Sequence, residues 1–92
     1  MVATLLQNAP NPFNPDTVFR FGLPQAGQVK LDIYDLTGRH VRTLVDGMVG
    51  AGWQTVVWDG RGDRGERVAS GVYFCWFEAG GVSESRKVVI LK

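Results

Sequence analysis

Apolar residues recur at every second position through most of this chain, and that period belongs to β-strands. In Thr17–Leu23, Phe19, Phe21 and Leu23 share one face while Val18, Arg20 and Gly22 take the other. In Gln28–Asp35, Val29, Leu31 and Ile33 alternate with Lys30, Asp32 and Tyr34. Such alternation fits antiparallel strands with one buried face. Gly71–Glu78 is apolar on both faces, with Val72, Phe74 and Trp76 opposite Tyr73, Cys75 and Phe77. That pattern predicts a central strand covered on both sides or nearly so. Shorter or weaker segments predict further strands at Thr4–Gln7, His40–Val45, Trp53–Trp58 and Val82–Leu91. No stretch holds apolar residues at i, i+3, i+4 and i+7 without a glycine breaking it. The expectation is an all-β chain, an immunoglobulin-like antiparallel β-sandwich of about seven strands.

The segments between are punctuated by turn residues. Asp35-Leu36-Thr37-Gly38 reads as a type I turn with glycine in the left-handed position. Gly47 to Gly52 reads as a glycine-rich link, Ala79-Gly80-Gly81 as a hairpin turn, and Asp59–Ser70 as a long ordered loop. Gly38, Gly60, Gly65, Gly71 and Gly80 are expected at positive φ. All four prolines precede residue 25. Asn8–Pro15, short of backbone donors, is expected to cross between the sheets with Phe13 tucked in as a plug.

Length and charge narrow the function. Ninety-two residues make one domain, which needs nearly all its apolar residues for its own core. Little remains to line a deep substrate cavity. The net charge is +1 and the signs are interspersed. Phosphate backbones call for clustered Lys and Arg, so nucleic acid is not an expected partner, and neither is an anionic lipid surface. No run approaches the roughly 18–20 apolar residues of a membrane span. The start, Met1-Val2-Ala3-Thr4, lacks the n- and h-regions of a signal peptide. The chain is then either cytosolic or a piece of a larger exported protein carrying a starter methionine.

Candidate chemistry is sparse. His40, the sole histidine, stands between Arg39 and Arg42 with no adjacent nucleophile. Cys75, the sole cysteine, sits inside the most apolar strand, where a thiolate is disfavoured. Asp59, Asp63 and Glu66 could offer oxygens to calcium, yet Arg61, Arg64 and Arg67 interleave and local ion pairs would satisfy them. No catalytic residue and no cofactor is expected. Trp53, Trp58, Trp76, Tyr34 and Tyr73 could form a sugar-stacking platform. Against that, Trp53 and Trp58 should face opposite ways, so at least one belongs to the core.

Several segments taken together resemble a known family. Ala9-Pro10-Asn11-Pro12-Phe13-Asn14-Pro15, Phe21-Gly22-Leu23-Pro24 and Ile33-Tyr34-Asp35-Leu36-Thr37-Gly38-Arg39 come in order. Trp58-Asp59-Gly60, Ala69-Ser70-Gly71-Val72-Tyr73-Phe74 and Arg86-Lys87-Val88-Val89-Ile90-Leu91-Lys92 complete the series. The whole resembles the type A C-terminal sorting domains of proteins exported by the type IX secretion system. It is also similar to the immunoglobulin-like domain of the flagellar hook-capping protein.

The resemblance implies a C-terminal module over residues 1–92, excised from a larger bacterial protein such as a glycoside hydrolase, that directs secretion and cell-surface attachment at the outer membrane. The implied partner is the outer-membrane secretion machinery, with Gly71, Tyr73, Lys87, Val88, Val89, Ile90, Leu91 and Lys92 as recognition residues. A strand at a sheet edge would suit that role, because it offers unpaired backbone groups. The same edge could support weak self-association. Two other readings stand beside it: a carbohydrate-binding module of a secreted glycosidase, and a structural spacer or hook-cap type of assembly domain.

Overall fold

The computed structural model describes residues 2–11 and 16–91. Seven strands follow one another: β1 (Thr4–Leu5), β2 (Thr17–Leu23), β3 (Gly27–Asp35), β4 (His40–Val49), β5 (Gly52–Trp58), β6 (Gly71–Ala79) and β7 (Val82–Ile90). They form a three-stranded sheet of order β1-β2-β5 and a four-stranded sheet of order β4-β3-β6-β7. Every pairing is antiparallel. The result is the expected immunoglobulin-like sandwich. Its fourth strand lies beside β3 and not beside β5, unlike the constant-type immunoglobulin arrangement. The expected Phe13 plug and Lys92 lie outside the described residues.

The period-two pattern becomes the core directly. Phe19, Phe21 and Leu23 of β2 face Val29, Leu31 and Ile33 of β3, and all six are buried. Trp58, Tyr73, Cys75, Phe77, Val88 and Ile90 fill the remaining space. Phe21 packs on Phe77 with ring centroids 5.4 Å apart. Trp58 is fully buried while Trp53 is 58% exposed, so the two do point opposite ways along β5.

Three expectations need correction. β6 is central in its sheet, held between β3 and β7, but only one face is covered. Tyr73, Cys75 and Phe77 enter the core, whereas Phe74 and Trp76 look outward and are exposed. No third layer exists among the described residues to cover them. The strand at His40 does not stop at Val45; it runs to Val49, and Gly27 pairs with Val49 across the expected link. A glycine is tolerated there because β4 is an edge strand. β1 closes after Leu5, short of Gln7; the chain stays beside β2 and bonds to it again between Ala9 and Val18.

β4 also carries two register shifts against β3, after Leu31 and after Ile33. Each inserts one extra residue, so Val41, Leu44 and Val45 all reach the core despite the broken alternation. The hairpin turn between β6 and β7 uses Gly80 and Gly81 at φ 56° and 78°. Positive φ at both central residues is what a type I′ turn demands.

The Asp35 turn is closed by its own carboxylate. Asp35 Oδ1 accepts hydrogen bonds from Thr37 N, Thr37 Oγ1 and Arg39 N at 2.9, 2.7 and 3.0 Å. The Thr37 hydroxyl above all, then the Arg39 N–H, hold the Asp35 carboxyl below its ordinary 3.8. A carboxyl with a depressed folded-state value stabilises the fold above its unfolded value and loses that contribution as pH falls. Melting temperature is therefore expected to drop below about pH 4 more steeply in the native chain than in Asp35→Asn. Parallel thermal melts from pH 5 to pH 2 check this, and superimposable curves would rule it out.

Candidate functional site

β7 lies at one edge of the four-stranded sheet, next to β6 alone. Its alternation splits the expected recognition residues into two groups. Val88 and Ile90 are buried in the core. Lys87 and Leu91 are exposed and Val89 is half-buried on the outer face. Only this second group is free to meet a partner. Tyr73 is buried too: its hydroxyl donates to Ala69 O at 2.7 Å, and its ring meets Trp58 edge-on at 5.9 Å. A tyrosine that reaches back to the backbone four residues upstream resembles the tyrosine corner of immunoglobulin domains. Gly71 opens β6 at φ 149°, in a region that favours glycine. Gly71 and Tyr73 therefore shape the strand that supports β7.

The side of β7 that faces away from β6 is bound by the N-terminal segment. Leu5 N donates to Glu84 Oε2 at 3.1 Å, and Arg86 Nη2 donates to Leu5 O at 2.9 Å. Farther along, Gln7 Nε2 and Asn11 Nδ2 donate to Lys87 O at 2.8 and 3.3 Å. Val89 N donates to Asn11 Oδ1 at 2.8 Å. The two sheets are thus joined at this side by side chains that bond to backbone.

A small polar network fixes the segment that presents Asn11. Asn8 is buried; its Nδ2 donates to Thr17 Oγ1 at 2.9 Å and to Pro10 O at 3.2 Å. Thr17 Oγ1 donates to Pro10 O at 2.7 Å, and Gln7 Nε2 donates to Asn8 Oδ1 at 2.7 Å. Ala9 and Val18 exchange two backbone bonds at 3.1 and 2.9 Å. The described backbone of this segment stays beside β2, and its reach to the other sheet is through the Gln7 and Asn11 side chains; the rest of the expected crossing lies outside the described residues. Gln7, Asn11, Glu84 and Arg86 escaped sequence reasoning, since contacts between the two ends of a chain leave no local pattern.

At one end of the sandwich a polar cluster gathers around His40. Its Nε2 lies 2.9 Å from Asp32 Oδ1 and 3.0 Å from Thr43 Oγ1, and its Nδ1 lies 3.6 Å from Asp63 Oδ2. The Thr43 hydroxyl donates to Asp32 at 2.7 Å. Histidine, carboxylate and hydroxyl meet here, yet the Thr43 hydroxyl gives its proton to Asp32, and Asp63 stands off the other ring nitrogen at 3.6 Å, too far for a hydrogen bond. A nucleophile relay needs the hydroxyl to donate to the ring and the ring to be held by a carboxylate at its other nitrogen. The cluster instead satisfies Asp32, which is buried on the outer face of β3.

Two of the three loop carboxylates, Asp59 and Asp63, have partners of their own. Asp59 faces Arg42 and Arg61 at 3.7 and 3.8 Å, and its Oδ1 accepts from Arg61 N. Asp63 Oδ1 accepts from Thr43 N at 3.0 Å. Glu66 lies over Gly62, where any Cβ would strike its carboxylate. Among the described residues, no group of three or more His, Cys, Asp or Glu side chains is placed to hold a metal ion. Cys75 is buried, and burial, with Asp32 nearby, pushes its thiol well above the ordinary 9.0. The aromatic platform does not assemble as one surface. Trp58 and Tyr73 are in the core, Trp53 is on the outer face of the three-stranded sheet, and Tyr34 and Trp76 lie on the four-stranded sheet.

The family model described as FlgD Ig-like domain matches residues 11–79, a span that ends just before β7. Among curated proteins none matches the chain. Among solved structures, dimeric latent PorU from Porphyromonas gingivalis is similar over 98% of this chain, with a TM-score of 0.73 and 24% identity. At that identity the likeness shows the fold alone. The chain spans 9% of the PorU chain.

Proposed function

Because the chain belongs to the FlgD immunoglobulin-like domain family, we propose that it is a non-catalytic module that directs the export and cell-surface attachment of a larger bacterial protein. The observation that carries this reading is the place of β7. It is an edge strand whose inward residues, Val88 and Ile90, lock it to the core, leaving Lys87, Val89 and Leu91 turned outward. Such a strand combines a rigid support with side chains and a backbone edge that an export receptor can read. The ordered resemblance of the whole chain to type IX sorting domains supports the same role. The outer-membrane secretion machinery is then the partner, and the cell surface the destination.

The test separates recognition from folding. A reporter fused to the domain is expressed in a host with a type IX system, with Lys87→Ala, Val89→Thr and Leu91→Ala combined. These residues lie outside the core, so the melting temperature of the purified variant is expected to stay within a few degrees of the parent. Extracellular reporter is expected to fall about tenfold, the equivalent of about 1.4 kcal/mol of lost recognition. Undiminished export by a folded triple variant would overturn the proposal.

A further inference from the structure

The edge that this reading assigns to the partner is not open in the free domain. Lys87 O and Val89 N point the same way from β7, and one side-chain amide bonds to both. Asn11 offers an N–H and a C=O on one side, the kinds of group that successive peptide units of an extended strand offer. A strand laid along this part of β7, in either direction, would take Lys87 O and Val89 N, because they are the outward backbone groups flanking Val88. Gln7 adds a second donor to Lys87 O. Asn11 therefore occupies the two backbone groups that a bound strand would need at this place.

We propose that the outer edge of β7 at Lys87–Val89 is a strand-acceptor site held shut by the Asn11 side-chain amide, and that its occupant is an extended peptide. The choice of occupant follows from the chemistry of the gate. The groups covered are a backbone C=O and N–H on the outer side of a strand, which the backbone of an extended peptide pairs with directly. Val89 and Leu91, turned outward beside the site, offer apolar contact to alternate side chains of the incoming strand. Asn8 and Thr17 hold the backbone that presents Asn11, so the gate opens by moving the Asn11 side chain, with the Gln7 amide giving up Lys87 O, and not by unfolding the segment.

The inference rests on β7 being the working edge, but its test needs no export machinery, so either can fail alone. The probe is a synthetic peptide with the sequence of residues 82–91, titrated into the purified domain and read by amide NMR shifts along β7. Asn11→Ala is expected to bind it about tenfold more tightly than the parent, since the peptide no longer competes with an internal hydrogen-bonding group. The Val89 amide proton should exchange about tenfold faster in that variant without peptide. Dimerisation of Asn11→Ala through β7 would support the proposal equally, because a second copy supplies the same kind of strand.

If Asn11→Ala does not fold, Asn11→Asp keeps the acceptor for Val89 N–H and removes the donor to Lys87 O. It should then bind the peptide more tightly than the parent. A folded variant with unchanged Val89 exchange, or with peptide affinity equal to the parent's, would overturn the gate.

Discussion

Replacing Trp58 with alanine is expected to remove most of the domain's stability, about 3–5 kcal/mol. The side chain is fully buried where β5 ends, and its ring lies edge-on to Tyr73 at 78°. Its Nε1 donates to Arg61 O at 2.9 Å, which ties the core to the loop after β5. Alanine would leave a cavity between the sheets and an acceptor without its donor. Small domains of this size have on the order of 5–10 kcal/mol in total, so the variant should be largely unfolded near 37 °C. Trp58→Phe keeps the apolar ring and loses the N–H, and should cost less. Trp53→Ala, on the exposed side of the same strand, should stay within about 0.5 kcal/mol of the parent. Urea unfolding of the three variants measures these differences. Equal losses at Trp53 and Trp58 would contradict the packing described here.

Deleting residues 87–92 is expected to unfold the domain rather than expose a bare core. The deletion takes Val88 and Ile90 out of the interior, and removing two such side chains costs about 4 kcal/mol or more. It also leaves Gly71–Phe74 of β6 without the partners Ile90 to Lys87. Near-ultraviolet circular dichroism of the truncated domain should lose its native signal, and a native-like melt would refute the placement of these residues. The consequence for export work is direct. A truncated domain that is not exported shows only that the fold is needed, whereas substitutions at Lys87, Val89 and Leu91 ask about recognition.

Much of the fold could be read along the chain because each strand writes its own period. Phe19-Phe21-Leu23 and Val29-Leu31-Ile33 name their buried face without help from any other part of the sequence. The split between Trp53 and Trp58 follows from the same geometry. β4 was harder, since two bulges bring both Leu44 and Val45 to the core, and an inserted residue erases the period on which the reading depends. β6 misled in the other direction. Its outer face is as apolar as its inner one, yet Phe74 and Trp76 stay exposed, because alternation reports which residues share a face and not whether that face is covered.

The candidate site was legible only in part. An edge position for the last strand is suggested by the order of the strands, and the outward set at Lys87, Val89 and Leu91 by alternation. Asn11 and Gln7 gave no such sign. An asparagine among prolines reads as a turn residue, and its bond to Val89 becomes visible only when the chain is folded. The same holds for His40, which lacked a neighbour in sequence but acquires Asp32 and Thr43 through strand pairing.

The bonds that join Leu5, Gln7 and Asn11 to β7 span 76 to 81 residues of chain. During synthesis the N-terminal segment can pair with β2 early, but its bonds to β7 wait until β7 has left the ribosome. The central hairpins can pair early, but the sandwich cannot close along that side until nearly all of it is available. Such non-local closure slows folding, because the chain loses loop entropy before the contact is gained. A domain organised in this way completes itself last, and a chain that carries it stays unfinished at this point until its final strand arrives.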